Sequence, residues 1–270
     1  MIKLILTDMD GTLLNSEHQV PLQTMETIRQ LHGKGIRFGV ASGREYANIR
    51  AYFPELADEM IFIADNGTLV YDGQEEIYVD CMDTEAVIQI IQAIRMIPDT
   101  WLVLCGKEMT YIECRAEERQ AIAEIAYNFY KNVELVEDAV IYAKQKQILE
   151  LSVFCINGTG QVEAQLQWLK DDFQLYVSSS NWIDILNKSA GKGNALKKVQ
   201  ARYGWKPEEC MVFGDYLNDK EMLQNAGESY AMANAHPEIL KTAKYQAPSN
   251  EEGGVIKVIR QQLLEHPNKY

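Results

Sequence analysis

Residues 2–12 have the sequence IKLILTDMDGT, in which a short apolar run meets two acidic residues and a glycine. The run Ile2–Thr7 predicts a buried strand that ends at an acidic turn. Ligands of open α/β sheets bind beyond the carboxyl ends of the strands, so Asp8 and Asp10 are expected at the mouth of a site. One carboxylate could attack a substrate while the other transfers protons. Turns by themselves also favour Asp and Gly, so this segment alone does not decide the function.

The sequence that follows alternates between strand and helix patterns. A helical pattern at residues 21–32 comes before a strand-like run at residues 36–41. A second helical pattern, up to about residue 52, comes before a strand-like run at residues 60–64. This alternation predicts an α/β fold with a doubly wound, Rossmann-like parallel sheet. Residues 82–187 instead mix helices and strands in an antiparallel-looking α+β order, and the alternation returns after residue 187. We therefore predict a core domain at residues 1–81 and 188–270 and an inserted domain at residues 82–187.

Two further polar clusters fall at helix starts. Ser42-Gly43-Arg44 follows the second predicted strand, where a hydroxyl and free N–H groups could hold a phosphate. An N-cap is the commoner role of such a serine. Gly191-Lys192-Gly193 opens a later helix, although a lysine lies unfavourably near the positive end of the helix dipole. A buried phosphate or carboxylate would explain this lysine, and a solvated lysine between flexible glycines is the alternative.

The fourth cluster is GDYLND at residues 214–219, again directly after a predicted strand. Asp215 and Asp219 are four positions apart and could share one side of a first helical turn. Carboxylates at a strand end suit Mg²⁺, which takes oxygen ligands, and helix capping is the alternative role. All four clusters fall at strand ends or helix starts of one predicted sheet. A chance distribution would scatter them, so we predict a common site.

In this order, the four clusters resemble the motifs of the haloacid dehalogenase superfamily, and within it the Cof-type phosphatases with a C2 cap. Asn66-Gly67 and the segment Ala231–Ala235 add to the resemblance. It covers residues 1 to about 80 and about 187 to the end, and the family places its cap between the second and third motifs. The resemblance implies a phosphoric monoester hydrolase, a phosphatase of small phosphorylated metabolites with an aspartyl-phosphate intermediate. The motif set is specific for the superfamily but not for the substrate.

The resemblance also implies which residues carry the chemistry and hold the metal. Asp8 would attack phosphorus, and Asp10 would protonate the leaving oxygen and then activate water. Mg²⁺ would be held by an Asp8 oxygen, the backbone carbonyl of Asp10, and Asp215. Asp219 would orient Lys192 or a metal-bound water.

The remaining implied roles concern the phosphoryl group and the rest of the substrate. The groups expected to hold the phosphoryl oxygens are Ser42, Lys192, Asn218 and the amides of Met9 and Gly43. Arg44 and Asn66 are expected on the substrate side. Tyr216 replaces the smaller polar residue that many relatives carry, and it is expected to shape only the rim of the site.

Two other functions stay open from the sequence. A sugar phosphomutase would use the same nucleophile, but it would need a bisphosphate activator and a cap that shields the intermediate from water. A non-catalytic phospho-aspartate or phosphate-sensing module is the second alternative, although receivers with similar acids are much shorter and lack an insert. Asp10 favours P–O cleavage, because dehalogenases of the superfamily lack an acid there. The resemblance implies sugar phosphates as the first expectation for the substrate, with phosphorylated cofactors such as flavin mononucleotide or pyridoxal phosphate as the alternative, and no sequence feature chooses between them. The cap is expected to open and close on linkers near residues 80–83 and 187–189.

Composition narrows the expected partners. The net charge of −13 at pH 7 argues against nucleic acid and against anionic membranes as partners. The apolar N-terminal run is too short for a signal peptide or a membrane span, so a cytoplasmic location is expected. The five cysteines are scattered without metal-type spacing, which predicts reduced thiols. A small phosphorylated metabolite is the expected partner, and no protein partner is evident.

Overall fold

The computed structural model describes residues 1–129 and 132–265. The chain forms two compact units, Met1–Val79 with Gly191–Tyr270, and Asp80–Ala190. We call the first the core unit and the second the inserted unit. These divisions lie close to the predicted domain limits without coinciding with them. The apolar spacing in residues 117–131 predicts a helix whose last two positions, 130–131, lie outside the described residues. The predicted core domain likewise includes positions 266–270, which also lie outside them.

The N-terminal part of the core unit alternates strands and helices and then turns back on itself. Its parallel strands are followed by an antiparallel hairpin around Gly73, as the Asp72-Gly73 turn signal indicates. Short 3₁₀ turns lie at Ala57–Glu59 and Asp65–Gly67. The elements are β1 (Leu4–Asp8), α1 (Thr24–His32), β2 (Arg37–Ala41), α2 (Tyr46–Arg50), β3 (Ile61–Ala64), β4 (Leu69–Asp72) and β5 (Glu75–Val79).

The inserted unit is a six-stranded sheet with helices. Its elements are α3 (Thr84–Ile94), β6 (Thr100–Gly106), β7 (Thr110–Glu113), α4 (Arg119–Phe129), β8 (Val133–Val136), α5 (Ala139–Gln145), β9 (Ile148–Cys155), α6 (Gly160–Leu166), β10 (Phe173–Val177) and β11 (Trp182–Asn187). The strand order is β10-β11-β9-β6-β7-β8, antiparallel except for the pair β7–β8. The main apolar core includes Ile90 and Ile91 of α3 packed with Leu151 of β9, and a smaller cluster around Ile122 lies apart from it.

The C-terminal part of the chain completes the core sheet. Its elements are α7 (Lys192–Tyr203), β12 (Cys210–Gly214), α8 (Lys220–Gln224), β13 (Glu228–Met232), α9 (Pro237–Thr242), β14 (Tyr245–Ala247) and α10 (Gly254–Ile259), with one π-helical turn at Arg260–Glu265. The order of the eight strands is β14-β13-β12-β1-β2-β3-β4-β5, parallel from β14 to β3.

Strand β1 lies inside this sheet, and all five of its residues are buried. β12 is buried along its whole length too, which explains why these strands have nearly continuous apolar sequences rather than alternating ones. The predicted α/β class with a doubly wound parallel sheet is confirmed. None of the helices in the described ranges combines the length and the apolar composition that a membrane crossing needs.

Candidate active site

The carboxyl ends of β1, β2 and β12 lie side by side at one edge of the core sheet. β1 is parallel to both neighbours, with Asp8 opposite Ala41 and Thr7 opposite Phe213. Three of the four predicted clusters directly follow these strands, so the fold brings them to one edge. The fourth cluster opens α7, and its lysine reaches the same place.

Lys192 is a buried cation between two carboxylates. Its Nζ donates to Asp8 Oδ1 at 2.6 Å and to Asp219 Oδ1 at 2.7 Å, and only 2% of its side chain is exposed. Burial alone lowers the pKa of Lys192, but the charges of Asp219 and Asp8 outweigh it, so the pKa is raised. The lysine therefore stays charged, and the interpretation as a solvated residue between glycines is wrong.

Asp219 is fixed by the loop that carries it. Its Oδ2 accepts the N–H groups of Asp215 at 2.9 Å and of Tyr216 at 3.2 Å, while Oδ1 takes Lys192. A Cβ on Gly214 would lie 2.6 Å from Asp219 Cβ, so only glycine fits before the acid pair. Both oxygens of Asp219 are thus engaged in holding Lys192 and the loop.

Three carboxylates of this site lie close enough to hold a metal ion together. Oxygens of Asp8, Asp215 and Asp219 lie within 4.8 Å of one another. Burial raises the pKa of Asp8 to about 8, Lys192 opposes this, and the neighbouring acids add to it. Burial also raises the pKa of Asp215, although its Oδ1 accepts the Thr12 hydroxyl at 2.8 Å. Two buried carboxyl groups and a partly buried one around a single lysine are short of positive charge, so the donor set fits a hard divalent cation.

Asp10 is not one of these three carboxylates and lies in a different environment. Its side chain is 45% exposed and is bound by Arg44, with Nη2 at 2.6 Å from Oδ1 and Nε at 2.7 Å from Oδ2. Arg44 also donates to the hydroxyl of Tyr52 at 3.1 Å. His18 Nδ1 lies 3.4 Å from Asp10 Oδ1, and the backbone of His18 is left-handed with φ 57°. No sequence pattern indicates a role for Tyr52 or His18, because both contacts depend on loop conformation.

Ser42 and Gly43 form a tight turn against Asn66. Ser42 is buried, and its Oγ accepts the N–H of Arg44 at 3.1 Å. A Cβ on Gly43 would lie 2.8 Å from Asn66 Oδ1, so the predicted residues Gly43 and Asn66 are in contact. This bond to the N–H two residues on is a local serine turn, and Ser42 does not cap α2, whose N-cap is Glu45, so the interpretation of Ser42 as an N-cap is wrong. Ser42 directly follows Ala41, which lies opposite Asp8.

Met9, Asn218 and Tyr216 are the remaining residues expected at the site, and they differ in how exposed their side chains are. The Met9 side chain is fully buried directly after Asp8, so only its backbone could face a ligand. Asn218 is exposed in the 3₁₀ turn Leu217–Asp219, beside the buried Asp219. Tyr216 is exposed too, and its ring meets the ring of His236 edge-on at 5.7 Å.

The loop after Asp10 is held by residues from the far end of the chain. Asn234 Nδ2 donates to the Gly11 carbonyl at 2.8 Å, and Asn250 Nδ2 donates to the Leu14 carbonyl at 2.9 Å. Gly11 has φ 77°, and a Cβ there would lie 2.4 Å from Asp215 Oδ2. In the sequence, the segment Ala231–Ala235, which contains Asn234, only adds to the family resemblance, and no pattern points to Asn250.

The comparisons with known proteins agree with this geometry. Residues 5–259 match the family model for haloacid dehalogenase-like hydrolases. The chain belongs to this family, and the predicted superfamily is confirmed.

Particular relatives are similar over almost their whole length. The chain is 33% identical to the 5-amino-6-(5-phospho-D-ribitylamino)uracil phosphatase YbjI of Escherichia coli, covering 98% of this chain and 97% of the relative. It is 28% identical to the phosphatase YwpJ of Bacillus subtilis, covering 97% and 100%. The solved structure of SMU.1108c from Streptococcus mutans superposes with a TM-score of 0.80 at 30% identity, covering 97% and 98%. The predicted enzyme class, a phosphoric monoester hydrolase acting on small phosphorylated compounds, is confirmed.

Proposed function

We propose that this chain is a Mg²⁺-dependent phosphatase of sugar phosphates and related small metabolites, and that it acts through a phosphorylated Asp8. The observation that carries the proposal is the buried Asp8 carboxylate, held by Lys192 beside Asp215 at the end of a central parallel strand. Phosphoryl transfer depends mainly on positioning and on neutralising charge, which is what these groups provide.

The first chemical step follows from the placement of the two acids. An Asp8 oxygen forms a bond to phosphorus while the ester P–O bond breaks, and the leaving oxygen takes a proton from Asp10. Both Asp10 oxygens accept hydrogen bonds from Arg44 in this structure, so proton transfer requires that pairing to loosen. A substrate that competes for Arg44 would release Asp10 at the moment when it is needed.

The second step regenerates the enzyme. Asp10 takes a proton from water, the water oxygen bonds to phosphorus, and the bond between phosphorus and the Asp8 oxygen breaks. Lys192 keeps its position through both steps, because Asp219 holds it from the other side. This arrangement allows Asp8 to lose and regain its negative charge without movement of the cation.

Oxygen ligands for Mg²⁺ would come from Asp8, Asp215 and the backbone carbonyl of Asp10. A bound Mg²⁺ supplies positive charge to the phosphoryl oxygens and to the crowded carboxylates. The 2.8 Å hydrogen bond from Thr12 and the close packing of Gly11 fix Asp215 for this role. Asp219 would serve as the partner of Lys192.

The phosphoryl oxygens would be held by groups on several sides. These groups are Ser42, Lys192, Asn218 and the backbone amides of Met9 and Gly43. Arg44 and Asn66 would face the substrate. The side chain of Asn66 lies directly against Gly43, so a substrate contact at Asn66 would also affect the position of the Gly43 amide.

The substrate class is supported by a relative and by the domain organisation. The name of YbjI describes a phosphate ester on a ribityl chain, which is a sugar-alcohol phosphate. We assign the choice among such esters to residues 82–187, predicted as a cap.

Phosphate release from a panel of phosphate esters tests the proposal. The assay uses Mg²⁺ or a chelator and compares the wild type with Asp8→Asn and with Asp58→Asn, an exposed control in the core unit. We expect metal-dependent release that falls by at least about 10⁴-fold in Asp8→Asn, because the nucleophile is lost, and that is unchanged in the control.

Chelator-resistant release, or release that survives in Asp8→Asn, would contradict this mechanism. No release from any ester by folded protein with Mg²⁺ would favour a sugar phosphomutase or a phosphate-sensing module. The next measurement would then be phosphoryl transfer between positions of a sugar.

A further inference from the structure

We propose that the turn Asp65–Gly67 is a positioning device that sets the Ser42 turn and Lys192 at a fixed separation across the phosphoryl site. The inference rests on the proposed function, because it assigns both groups to one phosphate. It adds Asp65 and Gly67 as positioning residues, which act through Ser42 and Lys192 rather than by touching the substrate.

The backbone of this turn is unusual. Asp65, Asn66 and Gly67 follow one another in the left-handed region, with φ of 47°, 54° and 92°. Two of the three carry a Cβ, which makes this conformation unfavourable. Such a run persists only where the surroundings hold it, and it is found most often at functional sites.

One side of the turn holds the Ser42 segment. The N–H of Asp65 donates to the Arg44 carbonyl at 3.1 Å, and the N–H of Asn66 donates to the Ser42 carbonyl at 3.2 Å. The Asp65 carboxyl faces the N–H of Tyr46, the first residue of α2. The turn is thus bound to the Ser42 segment at both ends of Ser42-Gly43-Arg44.

The other side of the turn touches the start of α7. A Cβ on Gly67 would lie 2.4 Å from the carbonyl carbon and oxygen of Gly191 and 2.9 Å from the Lys192 nitrogen. These are backbone atoms, so no side-chain movement could make room. Any larger residue at position 67 must push away the backbone of Gly191 and Lys192.

Because the turn contacts both the Ser42 segment and the start of α7, it sets the distance between Ser42 and Lys192. Ser42 lies beside β1 on the β2 side, and Lys192 reaches Asp8 from the start of α7. The ligands expected for Mg²⁺ are carried by β1, β12 and the loops that follow them, and the turn reaches them only indirectly, through the hydrogen bond from Lys192 to Asp8. Changing the turn should therefore weaken phosphate binding more than metal binding.

The test compares Gly67→Ala with Gly35→Ala. Both glycines have positive φ, 92° and 75°, but nothing lies within 4 Å of a Cβ at Gly35. The control therefore carries the backbone strain without the collision. Calorimetry measures binding of Mg²⁺ alone and then of inorganic phosphate with Mg²⁺ present, and the thermal midpoint and ester turnover are recorded in parallel.

We expect Gly67→Ala to weaken phosphate binding by about tenfold relative to Gly35→Ala and to lower kcat/KM by about 10²-fold, since a misplacement of about 1 Å has that effect. Mg²⁺ affinity should stay within about threefold of the control.

A milder pair covers the case in which Gly67→Ala does not fold. Asp65→Ala and Asp99→Ala each place alanine where an aspartate has positive φ, 47° and 58°, and Asp99 lies in the inserted unit. Each also loses a carboxylate that faces a donor, the Tyr46 N–H for Asp65 and Asn157 Nδ2 for Asp99. We expect only Asp65→Ala to weaken phosphate binding, by about threefold.

Three results would overturn the inference. The first is phosphate binding by Gly67→Ala and Asp65→Ala within about twofold of their controls. The second is a parallel loss of Mg²⁺ affinity, phosphate affinity and thermal midpoint, which would make the turn a general support of the fold. The third is wild-type protein that binds no phosphate with Mg²⁺ present. If the wild type hydrolyses no ester but the phosphate-binding differences appear as expected, the proposed function fails and the positioning role stands.

Discussion

Asp8 and Asp10 are two residues apart in sequence and lie in opposite environments. Asp8 has 8% of its side chain exposed and faces the buried Lys192, whereas Asp10 has 45% exposed and faces Arg44. A charge pair in a buried, low-dielectric site interacts much more strongly than the same pair at the surface. Identical side chains thus acquire different properties, one buried against a lysine and one partly exposed against an arginine, from their surroundings alone.

The largest effect on stability is expected on the buried side. Lys192→Met would leave Asp8 and Asp219 without a cation and should lower the free energy of unfolding by about 3–5 kcal/mol, as measured by urea denaturation without metal. Arg202→Met, which breaks the exposed pair with Glu75, is the control and should cost no more than about 1 kcal/mol.

The double variant Lys192→Met with Asp219→Asn sharpens this test. Removing one stranded charge should restore part of the lost stability. A Lys192→Met protein as stable as the wild type would contradict this, because it would mean that the carboxylates of Asp8 and Asp219 do not need the lysine charge.

A smaller and purely kinetic effect is expected at Asp10. Asp10→Asn removes proton transfer and should lower kcat by about 10²-fold or more. Its free energy of unfolding should change by less than about 1 kcal/mol, because the pair with Arg44 is partly exposed. Urea denaturation and steady-state kinetics on the same preparation separate the two, and a large loss of stability would remove the contrast between the acids.

The smallest effect is expected at His18, which touches the exposed side only. His18→Gln keeps a polar group near Asp10 and should change kcat/KM by less than about threefold and stability by less than about 0.5 kcal/mol. Its side chain is 66% exposed and 3.4 Å from Asp10. A loss as large as that of Asp10→Asn would show that His18, rather than Arg44 alone, controls the proton donor.

The parallel core was predictable because its signals are local. β1, β2, β3 and β12 are apolar runs that end at polar turns, and the structure has them within a residue or two of the predicted limits. The elements missed were β8, α5 and β14. β8 and β14 are short strands at sheet edges, where pairing with one neighbour rather than sequence pattern makes the strand. α5 is seven residues long, and the carboxylate of Asp138 caps its start.

The identity of the site residues was easier to predict than their pairing. Lys192 was recognised as out of place at a helix start, and the structure shows two carboxylates around it. The partners of Asp10 could not be predicted. The hydrogen bond from Asn250 to the Leu14 carbonyl could not be predicted either, since it joins residues 236 positions apart. Such contacts depend on how distant loops meet, which no local pattern records.

The pairing of β1 with β12 also constrains how the protein is made. Leu4 lies opposite Cys210, so the middle of the core sheet cannot close until the ribosome has released more than three quarters of the chain. The inserted unit is continuous in sequence and is complete on the ribosome before β12 emerges. We therefore expect it to fold first during synthesis, while β1 can pair with β2 on one side but leaves its β12 side unpaired until the C-terminal part of the chain emerges.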